Sequence, residues 1–186
     1  MPNNSATGGY ISPVAPSSAL FDDALDALLQ GAVVGITGLA GSLVRPRWQA
    51  VVPKQPEPSV DWCAIGVTDF TPMDYPAEIH DGTGNGSDTQ QQWEEFSVLA
   101  SFYGPNGSAN ASLLRRGLYV AQNREALQAQ GIDLVEAGKV ITAPDLVNQQ
   151  WVKRHDITIR LRRVVASTYP VLNILSADDI LVTDNH

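Results

Sequence analysis

Apolar and polar positions alternate along this chain in a way that predicts a few helices and several strands. Phe21, Leu25, Leu28 and Leu29 recur at helical spacing and predict a first helix from about Ser18 to Gln30. Ser17 or Ser18 can cap it, Asp22 and Asp23 suit its N-terminal end, and Gly31 is expected to stop it. Asp61–Thr71 alternates, with Cys63, Ile65 and Val67 on one face and Trp62, Ala64 and Gly66 on the other. Gln91–Tyr103 alternates too. Phe96, Val98, Ala100 and Phe102 face one way, and Trp93, Glu95, Ser97, Leu99 and Ser101 face the other. These two strands are expected to pair antiparallel, with residues 81–90 (DGTGNGSDTQ) read as turn.

Gly104-Pro105-Asn106-Gly107 marks a turn before a second helix, Ala109–Gln130, whose stripe is Leu113, Leu114, Leu118 and Ala121. That helix can break near Asn123. Ile132–Glu136 reads as a short strand and Pro144–Asn148 as irregular. Trp151–Ser167 is the longest strand candidate. Trp151, Ile157, Ile159, Leu161 and Val165 share one parity, and Arg154, Asp156, Thr158, Arg160 and Arg162 share the other. At about 3.3 Å per residue it exceeds ~40 Å, which outruns one small core. Its arginine-bearing face is therefore expected to be solvated or intermolecular. A last strand is expected near Asp179–Thr183. Trp62, Phe96, Leu114, Leu118 and Ile159 are the expected core.

The sum is an α+β fold: an antiparallel sheet flanked by two main helices, with a long strand hairpin. Residues 1–17 are rich in Pro, Ser, Asn and Gly and read as a flexible N-terminal arm. Residues 18–186 then form a single domain.

Residues 31–44 (GAVVGITGLAGSLV) place glycine at 35, 38 and 41. A phosphate loop needs Gly-Lys-Ser/Thr at its end, whereas Gly41 is followed by Ser42 and Leu43. Two readings stay open: a flexible apolar loop or edge strand, or an apolar loop buried against another chain. Under the second, Leu39 and Leu43 are contact residues. Pro53, Pro56 and Pro58 make a stiff connector.

Composition narrows the function. The chain has 186 residues, enough for one core. Its 20 acidic and 12 basic residues give a net charge of -8, which argues against a protein that grips DNA or RNA. Only 17% of residues are charged, below the usual quarter, so much surface is polar-neutral, apolar or covered by partners. Cys63 is the only cysteine, so no intramolecular disulfide is expected. Asn3, Asn85, Asn106 and Asn110 open Asn-x-Ser sequons, read as loop chemistry. The first basic residue is Arg45, so a positive leader region is missing. No apolar run reaches the ~18 residues of a membrane span.

The search for chemistry finds little. His80-Asp81 and His155-Asp156 are His-Asp pairs. One borders a turn, the other lies in a strand, and only His186 remains as a third histidine. No Gly-x-Ser-x-Gly elbow is present, and Cys63 sits with the apolar parity of its strand. No catalytic, metal or cofactor residue is expected. Arg160, Arg162 and Arg163, with Arg154 further along, admit three readings: a solvated face, an Arg-rich protein contact, or a phosphate patch. Arg154, Arg160 and Arg162 are carried forward as contact candidates.

Six stretches taken in order resemble the neck or tail terminator proteins of tailed bacteriophages. They are RPRWQ (45–49), DWCAIG (61–66), SFYGPN (101–106), LYVAQNR (118–124), WVKRHD (151–156) and RLRR (160–163). The likeness spans roughly residues 18–180. It implies an α+β fold with a sheet beside helices and no catalytic residues. It implies a virion protein, assembled in the bacterial host cytoplasm, that forms a ring, usually a hexamer. Its partners would be copies of itself, a tail-tube protein and a head-completion or connector protein. DNA would pass through the lumen without specific binding, and no membrane is involved. Acidic residues of the Asp81–Asp88 loop or the first helix would face that channel. Three alternatives stay open: another tail component, such as a tail-tube or minor tail protein; a His-Asp metal hydrolase; and a monomeric small-ligand domain.

Overall fold

A computed structural model describes residues 3–14, 17, 19–51, 53–147 and 150–173. The fold is α+β. Its helices are α1 (Asp22–Thr37), α2 (Gly107–Gly117) and a short α3 (Glu125–Gln128). Its strands are β1 (Val44–Pro46), β2 (Trp62–Pro72), β3 (Ala77–Asp81), β4 (Ser87–Tyr103), β5 (Asp133–Thr142), β6 (Asp145–Val147), β7 (Gln150–Val152) and β8 (Arg154–Tyr169). The expected last strand at Asp179–Thr183 lies outside the described residues, as does Ser18.

The chain divides into two units: residues 18–75 with 92–165, and residues 1–17 with 76–91 and 166–186. The larger unit holds the sheet in the order β1-β2-β4-β8-β5. β2 and β4 pair antiparallel, as expected, and β1 adds to β2 in parallel, making the sheet mixed. One face carries Cys63 and Ile65 of β2, Phe96, Val98, Ala100 and Phe102 of β4, and Ile157, Ile159 and Leu161 of β8, all buried. Against it pack Leu25, Leu29 and Val33 of α1 and Ala111 and Leu114 of α2. Each large side chain so buried contributes about 1.5–3 kcal/mol. A bulge between Val67 and Asp69 shifts the register, so that Phe70 stands opposite Phe96. Of the expected core residues only Trp62 stays half-buried, stacked on Tyr103 with ring centroids 4.2 Å apart.

The first helix corrects the sequence reading at both ends. It begins at Asp22 after Phe21, with no side-chain cap. It runs through Gly31 and Gly35 to Thr37, so the first half of the glycine-rich stretch is helix rather than loop. Both glycines are exposed with open space around them. Each costs about 1 kcal/mol of propensity, and burying Val33 between them outweighs that cost. Gly38 ends the helix with φ 74°, donating its N–H to Val34 O at 2.9 Å.

The second helix is shorter than its periodicity suggested. Gly104 turns the chain with φ 97°, and Asp61 accepts from the Asn106 N–H and Nδ2, each at 2.8 Å. α2 ends at Gly117, where the backbone lies against Ile36, too close for any side chain. The Gly117 carbonyl then accepts from the Val120 N–H at 3.0 Å and from Asn123 Nδ2 at 2.9 Å. A 3-10 turn (Ala121–Arg124) and α3 follow, and Leu113 is exposed rather than part of the stripe.

Other boundaries move as well. β5 extends to Thr142 instead of stopping at Glu136, and Asp145–Val147 is a strand paired with β7, which holds Trp151 apart from β8. In the smaller unit β3 pairs with residues 87–91 of β4, so only 82–86 form the turn. There the Ser5 and Val14 N–H groups donate to the Pro170 and Thr168 carbonyls. Among the described residues no helix is long and apolar enough to cross a membrane.

Candidate interaction surface

Strand parity turns Thr158, Arg160 and Arg162 away from the core of the larger unit, where all three are exposed. Because β8 lies between β4 and β5, Arg160 reaches carboxylates on both sides. Its Nη2 donates to Glu95 Oε2 at 2.7 Å and its Nη1 to Glu136 Oε2 at 3.4 Å. The guanidinium carbon of Arg162 lies 5.8 Å from the Trp93 ring centroid. Trp93 and Arg162 line a groove of about 410 Å³ with Met73, Glu94 and Glu95. The Met73 N–H donates to Trp93 O at 2.8 Å, and Gln92 Nε2 donates to Met73 O at 2.8 Å.

Arg163, grouped with these arginines by sequence, faces the opposite way. It is buried, with its Nε donating to Glu94 Oε1 at 2.6 Å and its Nη1 to the Leu20 carbonyl. Phe21, Phe70 and Phe96 surround the guanidinium, with ring centroids 4.4, 5.4 and 5.3 Å away. This arginine closes one end of the core and cannot serve as a phosphate patch.

Arg154 is engaged within its own chain. It pairs with Asp145 at 2.5 Å and with Asp156 at 3.1 Å, and is half-buried. Asp145 opens β6, whose Leu146 stands opposite Trp151 of β7, both exposed. Leu39, just past the end of α1, is half-buried and packs against the core. Leu43 is half-buried in the 3-10 turn Gly41–Leu43. The five contact candidates thus fall in three places. Arg160 and Arg162 share the outer sheet face, Arg154 lies at the β6–β7 hairpin, and Leu39 and Leu43 lie between α1 and β1.

A second groove, of about 280 Å³, opens at the start of α1. Phe21, Leu25, Trp48, Val67 and Phe70 line it, with Asp22, Asp23 and Asp26. Trp48 is anchored by its Nε1, which donates to Val67 O at 3.1 Å, yet remains 68% exposed. Sequence parity signalled Trp93 by setting it opposite the core face. Trp48 and Phe70 carried no such signal, because one lies in a connector and the other follows the bulge.

Reactive side chains are scattered. Cys63 is buried, and burial pushes its thiol pKa up. His80 bonds Asp88 across the β3–β4 hairpin rather than its neighbour Asp81, with Nδ1 and Oδ1 2.5 Å apart. His155 Nδ1 lies 3.3 Å from Thr142 Oγ1. His186 lies outside the described residues. Among the described residues no three His, Cys, Asp or Glu side chains converge to hold a metal ion. What the larger unit offers on its surface is aromatic and charged contact area.

The model of one protein family, described as phage neck terminator protein, matches residues 23–185. A comparison with curated proteins finds no match.

Proposed function

This chain belongs to the phage neck terminator family, and from that premise we propose that it forms a closed homo-oligomeric ring, a hexamer, at the head-to-tail junction of a tailed bacteriophage. The ring caps the tail tube and meets the head-completion proteins, and DNA passes through its lumen. Its role is structural rather than catalytic. It assembles in the host cytoplasm and resides in the neck of the virion.

One observation carries this reading. The larger unit exposes Trp48, Trp93, Trp151, Tyr75 and Tyr119 around a core of ordinary design. Aromatic side chains, with arginine, are the residue types enriched where proteins are covered by other chains. Arg154, Arg160 and Arg162 are contact residues in this proposal, as are Leu39 and Leu43. The net charge of -8 fits a lumen that lets phosphate slide past without holding it.

Electron microscopy of particles carrying a tagged copy of this chain tests the proposal. A single ring of label at the junction of head and tail is the expected image. Label repeating along the tail would overturn it in favour of a tube protein.

A further inference from the structure

The groove at the start of α1 is built for an occupant that the described chain does not supply. Phe21, Trp48 and Phe70 are exposed along it, over a floor that includes buried Leu25. Water gains little from three aromatic faces turned into one hollow, so filling it is favourable. The groove is also short of positive charge. Asp22, Asp23 and Asp26 stand at its rim, and none of them forms an ion pair with a described Lys or Arg. Arg163 lies against Phe21 and Phe70 from the core side, but it is paired with Glu94. Burial, then the charges of Asp23 and Asp22, raise the Asp26 carboxyl above its ordinary pKa.

A patch of the opposite sign lies at the other end of the helix layer. Arg115 and Arg116 close α2, and Arg115 Nε donates at 2.8 Å to the carbonyl of Gly138, the residue before Lys139 in the chain. Arg116 and Lys139 are exposed, and neither has a side-chain partner among the described residues. The end of α2 packs near the end of α1, since a Cβ on Gly117 would come within 2.3 Å of Ile36 Cγ2. From Asp22 to Ile36 the helix rises about 21 Å at ~1.5 Å per residue. Beyond a Debye length of ~8–10 Å, one chain's two patches cannot neutralise each other.

We propose that the groove lined by Phe21, Trp48 and Phe70 is a docking site for a second copy of this chain, filled by that copy's Arg116 and Lys139. The inference rests on the ring reading above and supplies its contact. Each chain uses two different patches, so the contact is head-to-tail and can repeat around a ring. A cation seated over aromatic faces and inside a carboxylate rim gains from both. Charge complementarity also fixes which end of a neighbour is accepted.

Light scattering on the full chain, over a concentration series in low salt, tests the contact. Arg116→Glu and Asp23→Lys should each weaken self-association about tenfold or more, because each sets like charges together. The two single variants mixed in equal amounts should associate like the natural chain, since each patch then meets a groove of opposite sign. Trp48→Ala leaves the charges in place and should also weaken association. Circular dichroism checks that every variant keeps its fold. Single variants that associate within twofold of the natural chain would overturn the inference, and so would a mixture that fails to recover. A natural chain that stays monomeric throughout would overturn it too. A ring seen in particles alongside any of these outcomes would leave the ring reading standing and discard this contact alone.

Discussion

Arg163 donates from its Nε to Glu94 Oε1 at 2.6 Å while only 1% of the arginine remains exposed. It is a charged side chain inside a hydrophobic core, held there by a carboxylate, a carbonyl and aromatic faces, although its buried Nη2 has no hydrogen-bond partner among the described residues. Glu94 neutralises it, the Leu20 carbonyl accepts a second N–H, and three phenylalanine rings surround the guanidinium. The pair ties the entry of α1 to β4 and β8. Removing one partner leaves an unpaired buried charge, so Glu94→Ala should cost about 3–5 kcal/mol. Replacing both, with Arg163→Met and Glu94→Leu in one chain, should cost less than either single change. Urea unfolding of the three variants measures both effects.

Gly117 sits where α2 touches α1. A Cβ there would lie 2.3 Å from Ile36 Cγ2, well inside contact distance. Gly117→Ala should therefore destabilise the larger unit by about 1–3 kcal/mol of overpacking. Adding Ile36→Val removes a methyl group from the contact and should recover part of the loss. Thermal melts of the single and double variants check this.

His80 makes the smaller unit sensitive to pH. Its Nδ1 faces Asp88 Oδ1 at 2.5 Å and its Nε2 faces Asn173 Oδ1 at 2.9 Å. Asn173 Nδ2 donates to the Gly82 and Gly84 carbonyls, which leaves its oxygen as the acceptor. Both ring nitrogens thus meet acceptors, and the imidazolium is favoured. The hydrogen bond to Asp88, then that to Asn173, raises the pKa above 6.5. For a raised histidine, the stabilisation is complete below the unfolded value and is lost as pH rises through the folded one. Proton NMR should find His80 titrating above the ordinary histidine value. Amide protection across residues 77–91 should fall over the same pH range, and Asn173→Ala should lower the His80 midpoint.

Cys63 should be inert in the folded protein. It lies opposite Phe102 in the β2–β4 pair, fully enclosed, and burial raises its thiol pKa. The thiolate is the reactive form, so a thiol reagent should label the chain only as denaturant unfolds it. The labelling midpoint should coincide with the midpoint read by circular dichroism.

Much of the fold could be read from local pattern. Phe96, Val98, Ala100 and Phe102 announced the buried face of β4, and all four lie in the core. The same pattern set Trp93, Arg160 and Arg162 on the other side, where they are exposed. Gly31 misled, because a glycine's cost to a helix is local whereas the burial of Val33 beyond it is not. The close approach at Gly117 was hidden for the same reason: its partner, Ile36, lies on another helix.

The sequence by itself determined strand parity, the alternation of elements and the acidic balance, because each depends on near neighbours or on sums over the chain. Only the tertiary structure decided which charges meet. Arg163 shares the parity of Ile159 and Leu161, yet what makes its burial tolerable comes from Glu94 and Leu20, 69 and 143 positions away. His80 likewise takes Asp88 rather than adjacent Asp81, because pairing across a hairpin brings the more distant carboxylate within reach. The two grooves exist for that reason as well: a bulge turns Phe70, a connector delivers Trp48, and long-range pairing places Met73 beside Trp93.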